Sequence, residues 1–246
     1  MFKPLQINGG RVAGELATGR VRLVLPPTSA RVYADAQLDD YHALRRFQFP
    51  NQPPRHLSLR ARVSHSAPSG TFGFGFWNDP FSINGGVLAA PNNLWFFYAS
   101  PPSDMALVED VPGQGWKAAT LNAGRYPTLL LAPAALGALA LTRLPGLGRP
   151  VMNLARQMVQ AREKLISTSL MDWHHYEIDW LSNGVSFRID GAECFRSDAP
   201  PRGPLGLVIW MDNQYAIASR AGRFGFGLCE VTEEQWLEVE EVISSQ

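Results

Sequence analysis

Short runs in which apolar and polar residues alternate, closed off every few residues by proline, glycine or asparagine, dominate the first half and the last third of this chain. A period of two is the spacing of a strand with one buried face. The candidates are Arg20 to Leu25, Leu57 to Ser64, Gly70 to Trp77, Leu94 to Ala99, Trp173 to Trp180, Val185 to Ile189, Gly206 to Met211, Gly222 to Cys229 and Trp236 to Val242. Several short strands with turn signals between them predict an antiparallel sandwich or barrel, not a βαβ sheet. One hairpin is explicit: Ser182-Asn183-Gly184 separates the run ending at Trp180 from the run starting at Val185, and Asn-Gly is expected to supply the positive φ of a tight turn.

The stretch from Tyr126 to Leu170 breaks this pattern. Between Arg125 and Arg143 lie 17 residues without a charge, short of the about 20 that a bilayer span requires and interrupted by Pro133 and Gly137. Pro150 opens a second run in which Val151, Leu154, Met158, Ala161 and Leu165 share one helical face. The expectation is an α-helical hairpin at 126–170, inserted into a single β-sandwich domain spanning 1–246. Its apolar first member must cover something, and core packing, a lid over a ligand, a homodimer contact and a membrane-surface contact all stay open.

Charge narrows the partners. The 22 basic residues balance 22 acidic ones, with no Lys/Arg block, so the field that draws a chain to nucleic acid is missing. The N-terminal residues show no apolar segment followed by a small-residue cleavage site, and the expected location is cytoplasmic. Cys194 and Cys229 lie far apart without a CxxC and are read as two buried, inert thiols, with a single bridge left open. His174 and His175 are strand neighbours and point to opposite faces, without a third ligand nearby. With no dense loop of oxygen ligands, no phosphate-cradling glycine loop and no GxSxG elbow, neither a metal nor a cofactor is expected.

Several of the strands resemble known ones. Trp173-His174-His175-Tyr176-Glu177-Ile178-Asp179-Trp180, the Ser182-Asn183-Gly184 turn and Val185-Ser186-Phe187-Arg188-Ile189-Asp190-Gly191 resemble the W-H-x-Y-x-I-x-W, turn, x-F-x-V-D-G hairpin of the concanavalin A-like lectin/glucanase superfamily, especially family 16 glycoside hydrolases. Leu57 to Val63 is similar to the I-E-A-R-A-K strand of that family, Gly203 to Trp210 to its next long strand and Trp236 to Val242 to its closing strand. The resemblance touches about two-thirds of the chain, in order, and leaves the insert outside. It implies an all-β, antiparallel jelly-roll β-sandwich and, taken alone, a carbohydrate-binding or carbohydrate-active protein.

The family's chemistry does not follow. Retaining glycosidases of this type use an E-x-D-x-x-E strand, because one carboxylate attacks the sugar carbon and a second, about 5 Å away, protonates the departing oxygen. The matching strand, Asn92 to Ser100, has no acid in any register, and Asp104 is the first acid downstream. Glu177 and Asp179 mimic the first half of that motif on a different hairpin, where a solvated strand face is expected.

Rings stand where the acids would be. In Thr71-Phe72-Gly73-Phe74-Gly75-Phe76-Trp77 the three phenylalanines share one face, expected to be core, and the glycines leave bare backbone for a close approach on the other. Trp77, Trp95, Phe97, Tyr98 and Trp210 are the candidate ligand-contacting rings. Beside them, Asp35, Asp39 and Asp40 crowd one segment with Gln37, Tyr41 and His42. Asp212 lies two residues beyond Trp210 and is followed by Asn213 and Tyr215. Neighbouring buried carboxylates raise each other's pKa, which makes Asp35, Asp39 and Asp40 candidate proton donors or acceptors; Asp212 joins them as an acid sharing a face with Trp210, and Tyr41, His42, Asn213 and Tyr215 are candidate ligand contacts. A solvated loop with a helix cap and an Asp/Asn-stabilised turn are the structural alternatives for the two groups. The functional expectation is a small-molecule ligand, apolar or amphipathic, held in a cleft of rings beneath the insert. The alternatives are a metal-independent isomerase-, cyclase- or hydrolase-like enzyme using an aspartate, and a carbohydrate binder.

Overall fold

The computed structural model describes residues 2–16, 19–80, 89–108, 110–123, 160–218 and 223–246. In chain order its strands are β1 Lys3–Ile7, β2 Arg11–Glu15, β3 Arg20–Leu25, β4 Asp35–Asp39, β5 Arg55–Val63, β6 Thr71–Trp77, β7 Asn92–Ala99 and β8 Gly115–Asn122. They continue with β9 Gln160–Leu165, β10 His174–Leu181, β11 Gly184–Ile189, β12 Ala192–Ser197, β13 Gly206–Asp212, β14 Gln214–Ala218, β15 Phe224–Leu228 and β16 Gln235–Ser245. One seven-stranded sheet has the order β1-β4-β13-β6-β7-β8-β9 and the other β12-β11-β10-β5-β16-β3-β2, while β14 and β15 pair as a separate ribbon. Neighbours are antiparallel throughout, and the all-β two-sheet sandwich expected from the sequence is the architecture.

The core lies between the sheets and is built from the inward half of each alternating strand. Phe74 of β6 meets Tyr176 of β10 edge-on at 5.1 Å, Phe96 of β7 meets Phe187 of β11 at 5.3 Å and 89°, and Phe76 packs against Trp180 at 5.6 Å. The phenylalanines of β6 are therefore the interior rings that their spacing predicts. The outward half of the second sheet carries charge instead. Glu238 stands across the ladder between Arg22 and Arg62, and Glu240 between Arg20 and Arg60, each carboxylate bridging both guanidinium groups. Trp173 lies beneath Arg20, Arg60 and Arg62, and Trp236 beneath Arg22 and Arg62, within cation–π distance.

Four expectations need correction. The predicted helical hairpin falls largely on 124–159, outside the described residues, and its C-terminal end is a strand: Gln160–Leu165 pairs with β8 along its whole length. Ala161 and Leu165, read as one helical face, also satisfy a period of two, and ladder pairing overrides the helical propensity of this Ala-Arg-Glu-Lys-Leu run. No α-helix occurs among the described residues. Asp35–Asp39, whose structural alternative was a solvated loop, is a fully buried strand between β1 and β13. The run from Gly222 contributes β15 to the small ribbon and not to either main sheet. Finally, Leu181 pairs directly with Gly184, but neither Asn183 nor Gly184 has a positive φ. Two consecutive positive φ values occur instead in the following turn, at Asp190 (51°) and Gly191 (78°), as they do at Asn8 and Gly9. Both cysteines are free thiols, Cys229 buried and Cys194 half-buried.

Phe96→Ala, which removes a ring touching Phe74, Trp116, Tyr176 and Phe187, is expected to cost about 3–5 kcal/mol in urea unfolding. Phe226→Ala, at a ring 80% exposed, should change stability by less than about 0.5 kcal/mol.

Candidate functional site

Because Phe72, Phe74 and Phe76 turn inward, Gly73, Gly75 and Trp77 face out from the first sheet. Register then fixes what stands beside them. Across the strands, Gln37, Trp210, Gly73, Phe97 and Lys117 form one row, and Asp39, Val208, Gly75, Trp95, Ala119 and Glu163 form the next. The glycines make room for tryptophan. A Cβ on Gly73 would fall 2.8 Å from Cη2 of Trp210, and one on Gly75, whose φ is +152°, would fall 2.6 Å from both Cα and Cβ of Trp95. The close approach to bare backbone is thus made by the protein itself, by the Trp210 indole at Gly73 and by the neighbouring strand at Trp95 beside Gly75.

The result is a second aromatic cluster, separate from the core. Trp77 and Trp210 are parallel within 3° at 6.4 Å, Trp95 lies 5.1 Å from Trp210 and 6.0 Å from Trp77, and Phe97 stacks on Trp95 at 5.3 Å. Two indole N–H groups are tied down, Trp77 donating to the Tyr41 hydroxyl at 2.6 Å and Trp210 to Oγ1 of Thr71 at 3.1 Å. Tyr41 itself stacks obliquely on Phe49 at 4.7 Å. Trp77, Phe97 and Trp210 are buried; Trp95 is the half-exposed member.

Polar groups frame this cluster on the same face. Asp35 and Asp212 are directly paired across the ladder. Asp212 accepts from Thr71 Oγ1 at 2.7 Å and from the Gln214 amide at 3.0 Å, and burial pushes its carboxyl up to about 6. Asp35 is 1% exposed, and burial together with the Asp212 charge drives its pKa well above the usual carboxylate range, against a side-chain hydrogen bond with Tyr33. Asp39, fully buried, accepts from Gln37 Nε2 at 2.8 Å and contacts Nδ1 of His42 at 3.1 Å. On the far side Lys117 and Glu163 form a buried pair at 3.2 Å; burial raises the Glu163 pKa against the pull of Lys117.

The remaining candidates are placed elsewhere. Tyr98 follows the parity of its strand: Trp95 and Phe97 face out, so its ring turns into the core and stacks on Phe72 at 4.8 Å. Asp40 anchors Asn51 and the Leu207 amide, and burial raises its pKa. Asn213 is consumed by backbone, accepting from Ala34 N–H and donating to the carbonyls of Val32 and Cys229. Tyr215 belongs to the ribbon, its ring against Gly227. Glu177 and Asp179 lie on the outer face of the other sheet, Asp179 bonded to His56 at 2.7 Å and to Arg188, which hold its pKa down against burial. Gln37, Thr71, Asn93, Lys117 and Glu163 join the site without having been singled out as site residues; the signal available for them is register, since each lies in line with a ring or aspartate. Among the described residues no cluster of three or more His, Cys, Asp or Glu could hold a metal ion.

No family model matches the sequence, and a comparison with curated proteins finds no match. Among solved structures the chain is similar to a family 16 glycosyl hydrolase from Mycobacterium smegmatis, at 10% identity over 91% of this chain and 75% of that one, with a TM-score of 0.45. It is similar to a pseudo β-1,3-glucanase of Mycobacterium tuberculosis, also an immunostimulatory antigen, at 8% identity over 92% and 75%, TM-score 0.45. A legume lectin-like domain from Entamoeba histolytica matches at 12% identity over 100% and 89%, TM-score 0.49. The fold, read from the strand pairing itself, is an all-β sandwich of two antiparallel sheets. Likenesses this distant say nothing of ligand or activity, which rest on the residues of the site.

A carboxylate whose pKa is higher in the folded than in the unfolded chain holds its proton more tightly when folded, so stability falls as pH rises through the interval between the two values. Asp212→Asn removes that dependence. The stability of this variant relative to the parent is expected to rise between pH 4 and pH 6, by at most about 1.4 kcal/mol per pH unit, and to level off above. Urea unfolding across pH 4–8 measures it; a pH-independent difference contradicts the assignment.

Proposed function

We propose that the outer face of the first sheet binds a carbohydrate, with a sugar ring stacked on Trp95 and its neighbours, and that the protein does not cleave glycosides by double displacement. One observation carries this reading: Trp77, Trp95, Phe97 and Trp210 form a ring platform framed by buried hydrogen-bonding side chains, and β7 presents Asn93, Trp95 and Phe97 outward where an E-x-D-x-x-E strand presents its acids. A sugar has apolar C–H faces that suit indoles and a rim of hydroxyls that need fixed polar partners. A purely apolar ligand would use the rings and leave Oδ1 of Asn93, buried and unpaired, against hydrocarbon, whereas Gln37, Asp39 and Lys117 are already paired within the protein. The frame therefore favours a sugar over the apolar ligand expected from the rings alone.

Calorimetric titration with laminari-, cello- and chito-oligosaccharides tests the proposal. Saturable binding to at least one series is expected, weakened at least tenfold, about 1.4 kcal/mol, by Trp95→Ala, with no new reducing ends on prolonged incubation. Release of reducing ends overturns the non-hydrolytic part. Failure of every series to bind, with an apolar fluorescent probe displaced from Trp95 instead, overturns the carbohydrate part and supports an apolar ligand.

A further inference from the structure

The two ends of the ring platform differ. At the end away from Asp35 and Asp212, β4 finishes at Asp39 and the chain turns through Tyr41, whose ring lies over Gly206: a Cβ there would fall 2.1 Å from the ring. Gly206 pairs with Trp77, and Trp77 with Asn93, so Tyr41, Trp77 and Asn93 follow one another across this end of the sheet.

Asp39 is positioned with unusual completeness. One carboxylate oxygen accepts the backbone N–H groups of Tyr41 at 3.0 Å and His42 at 2.7 Å, the other accepts Gln37 Nε2 at 2.8 Å, and both lie 3.1 Å from Nδ1 of His42. A carboxylate held this way offers only lone pairs, so Nδ1 of His42 carries the proton and, in the neutral ring, Nε2 carries the lone pair. The His42 side chain is 25% exposed, and only Nδ1 of its ring is hydrogen-bonded among the described residues. Asn93, on the other side of Trp77, is 3% exposed and its Oδ1 has no hydrogen-bond partner. Buried polar oxygens are nearly always paired in a folded protein, by protein, water or ligand. This end of the platform therefore holds two open acceptors, Oδ1 of Asn93 next to Trp77 and Nε2 of the His42 ring held by Asp39. The nearby guanidinium of Arg46 is engaged by the carbonyls of Asn78 and Asp79 at 2.7 Å each.

We propose that the Trp77 end of the platform is a hydroxyl-recognition subsite for a neutral sugar, in which Nε2 of His42, oriented by Asp39, and Oδ1 of Asn93 each accept a hydrogen bond from a ring hydroxyl. The subsite rests on the carbohydrate reading above and narrows it. Acceptors require a ligand that brings donors, which hydroxyls do. A carboxylate, sulfate or phosphate substituent here would set its own lone pairs against these two and its charge against Asp39. Asp39 is a positioning residue, touching His42 and not the sugar.

Long-range proton–nitrogen NMR on the full chain, with His42 assigned through His42→Ala, is the deciding experiment. In the free protein the neutral form of the His42 ring is expected to carry its proton at Nδ1, and Asp39→Asn is expected to shift it towards the other tautomer in a chain whose remaining spectrum is unchanged. Titration with neutral laminari-, cello- and chito-oligosaccharides should shift His42 Nε2 and the Asn93 side-chain amide together with the Trp95 indole. His42→Ala should weaken binding about tenfold, Asp39→Asn several-fold, and oligogalacturonate should bind at least tenfold more weakly than the neutral series. A proton found on Nε2 in the free protein overturns the subsite whatever the ligand. Shifts at Trp95 without shifts at His42 and Asn93, or equal affinity for oligogalacturonate, overturn the subsite and leave the carbohydrate reading standing. No shift at Trp95 with any neutral sugar overturns both.

Discussion

Strand β6 carries a ring at every second position and a hydrogen in between, and that alternation organises the molecule on both sides of the first sheet. Inward, Phe72, Phe74 and Phe76 supply the aromatic half of the interlock with Tyr176, Trp180 and Phe187. Outward, Gly73 and Gly75 leave a trough one side chain deep, and the strands on either side fill it, Trp210 from β13 and Trp95 from β7. The second ring cluster is thus a consequence of missing side chains as much as of tryptophan content. Tyr41 and Thr71 complete it by satisfying two indole N–H groups that would otherwise be buried without partners.

The ionisable groups of this face occupy β4, β13, β8 and β9, and none stands on β7. Their arrangement opposes the needs of double displacement, which requires two carboxylates flanking one sugar bond with one of them ionised and accessible. Asp35 and Asp212 are adjacent, both buried, and both pushed towards the protonated form. Asp39 is saturated by donors. These groups hold and orient; in the proposed site half-exposed Trp95 and His42, with the unpaired Oδ1 of Asn93, are the ones that meet a ligand.

What the sequence disclosed depended on whether a strand's second face was solvent. Where it was, as in β5 and β10, alternation marked the element within a residue or two, and in β16 within three. Where both faces were covered the outcome turned on composition: the largely apolar β6 and β13 were placed within a residue, but Asp-Ala-Gln-Leu-Asp reads as a polar loop because its outward polar residues are buried. Strand β8 was missed for the same reason, its Lys117 and Thr120 being buried polar residues, and β9 was misread because its residues are strong helix formers held by a neighbouring ladder. Trp77, Trp95, Phe97 and Trp210 were gathered correctly from spacing. Tyr98 was not, although strand parity alone separates it from Trp95 and Phe97. Asn213 resembles a ligand contact in type and position, and only the backbone groups around it show that its amide is fully occupied. The pairing of Asp35 with Asp212 joins residues far apart in the chain, and register alone reveals it.

The charged rows on the opposite sheet have a consequence for encounter. Glu238 and Glu240 each hold two arginines, and Trp173 and Trp236 are already covered by guanidinium groups, so the valences of that surface are largely closed among its own residues. The first sheet does the reverse, keeping acceptors without donors next to its rings. Among the described residues one flank of the molecule is internally quenched, so under the proposed function a solute colliding at random finds its partners on the other flank, and productive collisions become one-sided.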